Sequence, residues 1–99
     1  MPTQTADTYA DGIATKSPDE QAVAIVNRHA ARIVTVEDTE ILAAQKLMLR
    51  ATHNLAEPAG AAPLAAVVKE REAMSEKTVA VILSGGNADV ANLRLITGA

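Results

Sequence analysis

The sequence predicts an α/β fold, a partial, open, mostly parallel sheet with flanking helices, in one partial domain over residues 1–99. Three observations lead there. First, the apolar run Thr78-Val79-Ala80-Val81-Ile82-Leu83 empties into the small polar turn Ser84-Gly85-Gly86-Asn87. Val79, Val81 and Leu83 would face one side of a strand and Ala80 and Ile82 the other; both sides are apolar, as in a strand covered on two faces. Second, Ile33-Val34-Thr35-Val36 is a short β-branched run of the kind that forms strands. Third, helical patterns alternate with these runs, the order of a parallel α/β layer.

The elements follow in chain order. Residues 1–8 are polar and aperiodic, and Asp11-Gly12-Ile13-Ala14 is a turn signal followed by a short apolar pair. Ser17-Pro18-Asp19-Glu20 opens a helix, with Ser17 as cap and Pro18 in the first turn. That helix is expected to reach about Arg32, with Val23, Val26 and Ala30 on its inner face and Arg28, His29 and Arg32 in the last turn. After the 33–36 run, Glu37-Asp38-Thr39-Glu40 places acids at the start of a second helix that runs to about His53. Ile41, Ala44 and Met48 fall on one stripe, which Leu42 and Leu49 widen; Asn54 is the expected stop. Glu57-Pro58-Ala59-Gly60-Ala61-Ala62-Pro63 opens a third helix, ending near Glu72 to Met74, and its small residues would let the backbone pack tightly on a neighbour. Pro63 fits only if it lies in the first turn, where a missing N–H costs little. Asp89 to Ile96 reads as a last short helix.

Composition narrows the function classes. With 99 residues the chain is large enough for one small core, yet short for a complete doubly wound enzyme. Tyr9 is its sole aromatic residue, so the core must be built from Ala, Val, Ile, Leu and Met. A formal net charge of −3 leaves no basic stripe for nucleic acid, and the absence of cysteine leaves no disulfide or thiolate metal site. No apolar stretch is long enough for a membrane span, and the first residues do not read as a secretory signal, so a cytoplasmic protein is expected. His29 and His53 have no partner at ligand spacing, and no metal site is assigned.

The chemistry rests on a few residues. Ser84, Gly85 and Gly86 occupy the carboxyl end of a predicted strand, where ligands of open α/β sheets bind. The same residues also read as a plain strand-exit turn. Glu57, before Pro58 and a run of small residues, is an odd place for a carboxylate unless a polar partner or the backbone N–H groups of the helix start receive it.

Three segments in order, Ala10-Asp11-Gly12-Ile13-Ala14, Glu57-Pro58-Ala59-Gly60-Ala61-Ala62 and Leu83-Ser84-Gly85-Gly86-Asn87, resemble the carboxy-terminal third of pyridoxal-phosphate enzymes of the threonine dehydratase and serine racemase group. The resemblance extends from about Thr5 to Ile96 and implies the fold of the tryptophan-synthase-β-like, type II enzymes of that cofactor. It further implies that pyridoxal 5'-phosphate is the cofactor and that Ser84 hydrogen-bonds its pyridine nitrogen, with Gly85 and Gly86 turning the chain sharply beside the ring. Asp11, Gly12 and Glu57 would line the substrate side, and Asn87 would fix the loop or cap the last helix.

Lys16, Lys46, Lys69 and Lys77 do not stand in the family's motif for the lysine that bonds the cofactor, and the family's phosphate loop is not matched either. The expectation is therefore a carboxy-terminal piece of an ammonia-lyase that eliminates water from L-threonine or L-serine, inactive alone. Its partners would be the amino-acid substrate and the remaining amino-terminal portion or further copies of itself. The alternatives are a relic that only associates, or part of a serine or aspartate racemase or a hydroxyaspartate dehydratase.

Overall fold

A computed structural model describes residues 8–14 and 17–98 of the chain; Lys16 and most of the polar leader lie outside them, as does the side chain of Asp11. A 3-10 helix, Asp11–Ile13, is followed by α1 (Glu20–His29), α2 (Asp38–Thr52), α3 (Pro58–Lys69) and α4 (Val90–Thr97).

The helices start and stop for local reasons. Asp19, not Ser17, caps α1, its carboxylate accepting from the Ala22 N–H at 3.0 Å. The helix ends at His29, three residues short of Arg32, where Ala30 turns extended. At the start of α2, Glu37 and Glu40 form a reciprocal capping box, the Glu40 carboxylate accepting from the Glu37 N–H at 2.8 Å. Its end is made by His53 in the left-handed region at φ 59°, one residue before the expected stop at Asn54. α3 closes at Lys69, and turns through Glu76 replace the helical run expected to about Met74. Pro63 sits inside α3, beyond the first turn, so the Ala59 carbonyl lacks its usual helical N–H donor. Asp89 caps α4 through the Asn92 N–H at 2.7 Å, one of the two tasks open to Asn87, and Gly98 ends it at φ 76°.

Packing centres on α2. The stripe Ile41, Ala44 and Met48 is buried, as its spacing predicts, and Ala56, Ala61 and Ala65 close over it. α2 lies against α3 and α4, and α3 also meets the 3-10 helix. α1 stands apart: none of its residues is buried, and Val26, placed on an inner face by the sequence pattern, is 44% exposed.

Among the described residues there is no strand. Residues 33–36 and 78–83 carry no regular secondary structure; Ile33 is 74% exposed, and Ile82, expected in a strand covered on both faces, is 78% exposed. The reason is elementary. A strand is stabilised by the neighbour that pairs its N–H and C=O groups, and residue type alone supplies no neighbour. Side chains anchor the 33–36 segment instead: Lys69 Nζ donates to the Thr35 carbonyl at 2.6 Å, and Arg32 pairs with Glu70.

Candidate functional site

The three segments singled out in the sequence meet in space. Glu57 is extended just ahead of α3, with φ −69° and ψ 164°, and its carboxylate makes no capping hydrogen bond to the helix. Its N–H donates to the Gly85 carbonyl at 3.1 Å, while its own carbonyl accepts from the Ala61 N–H at 3.1 Å and starts the helix. The carboxylate itself lies against Gly85, so that a β-carbon there would collide with Oε1. A β-carbon on Gly12 would lie 3.8 Å from Glu57 Oε2 and 2.9 Å from Ala59 Cβ. Gly12, Glu57 and Gly85, drawn from distant parts of the chain, thus meet around one carboxylate.

The small start of α3 has a definite use. A β-carbon on Gly60 would stand 2.6 Å from the Gly85 carbonyl oxygen and 3.3 Å from its nitrogen, so the helix backbone seats directly on the turn. On the other side, a β-carbon on Gly86 would lie 2.8 Å from the Leu55 carbonyl oxygen. Neither Gly85 nor Gly86 has a positive φ; close approach of the Leu55 backbone demands glycine at Gly86, whereas at Gly85 a β-carbon would meet the flexible Glu57 carboxylate.

Ser84 is exposed at the edge of this pinned turn. Glu57, Asn87, Asp89, Tyr9 and Asn92 line a recess of about 230 Å³ whose walls do not include Ser84. A larger apolar groove, about 790 Å³, runs between residues 34–36 and α3 and does not include Glu57 or the 84–86 turn. Asp11 is in the 3-10 helix, its backbone bracketed by the Ala10 carbonyl that accepts from Ile13 at 3.0 Å. Of the lysines described, Lys69 is held by the Thr35 carbonyl and faces Glu40 at 3.8 Å, and Lys46 lines a shallow recess beside the end of α4. No group of three metal-binding side chains comes together among the described residues.

Sequence reasoning missed the polar residues behind the site. Gln45, 1% exposed on α2, donates from Nε2 to the Ala56 carbonyl at 3.0 Å and to Asn92 Oδ1 at 2.8 Å. Asn92 returns a hydrogen bond to Gln45 Oε1 at 3.2 Å, and the Tyr9 hydroxyl donates to the same oxygen at 2.8 Å. The signal was present: Gln45 lies within the buried stripe 41-44-45-48, where an amide must be partnered.

Burial, and secondarily the Asp38 carboxylate, push the Tyr9 phenol up to about 12 from its ordinary value of 10.0. Asp38 also receives the Thr8 hydroxyl and the Tyr9 N–H. A group raised in the folded state favours folding fully below its unfolded pKa and loses that contribution as pH rises through the folded one. Stability should therefore fall between about pH 10 and 12 through this phenol. Absorbance titration of the single tyrosine should show ionisation near 12; a midpoint at 10 would contradict its burial.

Comparison with known proteins gives consistent relatives. The family model described as "Pyridoxal-phosphate dependent enzyme" matches residues 1–85. An L-threonine ammonia-lyase of Geobacter sulfurreducens is 43% identical over 90 residues, covering 90% of this chain and 22% of that protein. A beta-hydroxyaspartate dehydratase of Paracoccus denitrificans is 38% identical over 86 residues, covering 87% of this chain and 27% of that protein. The crystal structure of a T.th. threonine deaminase superposes with a TM-score of 0.80 at 38% identity, over 90% of this chain and 32% of that one. The chain thus shares the fold of part of that enzyme and spans about a quarter of the length of the curated relatives it matches.

Proposed function

This chain belongs to the family of pyridoxal-phosphate dependent enzymes, and from that premise we propose that it forms part of an ammonia-lyase converting L-threonine or L-serine to a 2-oxo acid and ammonia. The observation that carries the reading is the meeting of Gly12, Glu57 and Gly85 at the turn that begins with the exposed Ser84. The similarity to an L-threonine ammonia-lyase supports the reaction class, and that to a beta-hydroxyaspartate dehydratase keeps a 3-hydroxy acid with a second carboxylate as an alternative substrate. A racemase acting on serine or aspartate is the remaining enzymatic alternative.

The residues present suit one edge of the cofactor. Pyridoxal phosphate, when bound, supplies an electron sink for charge developing at the substrate's α-carbon. Ser84 would offer a neutral hydroxyl to the ring nitrogen, a donor that does not hold that nitrogen protonated. Gly85 and Gly86 present backbone without side chains, Gly85 accepting from the Glu57 N–H and Gly86 lying close to the Leu55 carbonyl. Glu57, Asp11 and Gly12 would face the substrate, the Glu57 carboxylate orienting a hydroxyl or a water there. None of these residues removes the α-proton; that base would be a lysine from another part of the catalytic domain.

Residues 33–36 and 78–83 would pair as strands with neighbours from that same part, completing the parallel sheet and covering Ile33 and Ile82. Their exposure also favours a second reading, a non-catalytic piece that associates with itself or with a partner chain.

The test mixes the chain with pyridoxal phosphate and L-threonine, alone and together with the remaining portion of the Geobacter sulfurreducens relative. The complemented mixture should shift the cofactor's absorbance and release 2-oxobutanoate; the chain alone should do neither. Ser84→Ala should weaken turnover or cofactor affinity about tenfold in the complemented enzyme, the effect of losing one hydrogen bond to the ring. Unchanged values for both would sink the role given to Ser84. A complemented mixture that associates without turnover would favour the non-catalytic reading.

A further inference from the structure

The 84–86 turn is reached from the buried core by two routes, and both begin at Gln45. On one side Gln45 Nε2 holds the Ala56 carbonyl, and the next residue, Glu57, donates its N–H to Gly85. On the other side Gln45 and Asn92 exchange hydrogen bonds at 2.8 and 3.2 Å, fixing α4. That helix is joined to the turn by three residues, with the Gly86 carbonyl accepting from Ala88 at 2.9 Å and Asp89 capping Asn92. The turn therefore hangs between two points that one buried side chain holds. No apolar residue could substitute. An amide is the group that can donate to a carbonyl and an amide oxygen while accepting from a phenol and a second amide.

We infer that Gln45 is a positioning residue for the Ser84 hydroxyl: its amide, paired with Asn92, sets where the 84–86 turn stands relative to Glu57. The inference rests on the reading of Ser84 as the cofactor-facing group, whereas the clamp can be measured without cofactor.

Amide hydrogen exchange on the isotopically labelled chain tests it. In the unaltered chain the Gln45 side-chain amide protons and the Glu57 N–H should open as one unit, with the same response to denaturant. In Gln45→Met the Glu57 N–H should exchange about tenfold faster relative to the Ala65 N–H inside α3. A purely structural role would speed both amides alike. An unchanged ratio in Gln45→Met overturns the inference. Should that variant not fold, the unaltered chain still decides: Gln45 side-chain amides that exchange freely while Glu57 stays protected overturn it equally. The cofactor reading fails separately, through Ser84→Ala having no effect on turnover and affinity while these exchange rates stand.

Discussion

Replacing Gln45 by Met should destabilise the chain by about 3–5 kcal/mol, because three groups lose their partner at once. The Ala56 carbonyl and the Asn92 amide are left without Gln45, and the Tyr9 hydroxyl must turn elsewhere. Asn92 is only 6% exposed, so water cannot readily replace what is lost. Against the roughly 5–15 kcal/mol typical of whole native proteins, this is a large loss. Thermal unfolding followed by circular dichroism should show the midpoint lowered by roughly 15 °C or more. Adding Asn92→Leu removes one of the orphaned groups, so the double variant should lose less than the sum of the two single losses. Strict additivity would mean that the two amides do not interact.

Gly60→Ala is expected to cost stability although alanine is the better helix former by about 1 kcal/mol. The new β-carbon would meet the Gly85 carbonyl oxygen at 2.6 Å, and that oxygen belongs to backbone. It cannot rotate away. Either α3 or the turn must withdraw, and overpacking of this kind costs about 1–3 kcal/mol. The withdrawal would also stretch the bond from the Glu57 N–H to Gly85 and displace Ser84. Urea unfolding should therefore show a loss of stability, and in the complemented enzyme cofactor affinity should fall with it. A stabilised Gly60→Ala chain would mean that propensity alone governs the site and that α3 does not seat on the turn.

Much of the helical structure was legible because it depends on neighbours a few residues apart. The acids at Glu37 and Glu40 made their capping box, and Ile41, Ala44 and Met48 took the inner face of α2. Errors of position arose where two candidates competed within a turn: Asp19 displaced Ser17, His53 displaced Asn54, and Asp89 displaced Asn87 as the capping residue. Residues 78–83, whose apolar character suggests a strand covered on both faces, are not paired among the described residues. That character describes what the segment can bury, while the exposure of Ile82 shows that burial needs a partner the pattern cannot supply. The site was half legible. Ser84, Gly85, Glu57 and Gly12 stood out as residues, and the small start of α3 read as a place of tight packing, but which atoms the glycines admit did not, since a partner distant in sequence leaves no mark on periodicity.

The sequence by itself determined the four helices, the core face of α2 and the family, because caps, spacing and motif order are local or ordered along the chain. Tertiary structure alone decided that Glu57 lies against Gly85, that Gly60 seats on the same turn, and that Gln45 and Asn92, 47 residues apart, hold it from behind. Those contacts join groups whose separation in sequence carries no periodic signal, and only the packing of α2, α3 and α4 brings them within hydrogen-bond reach.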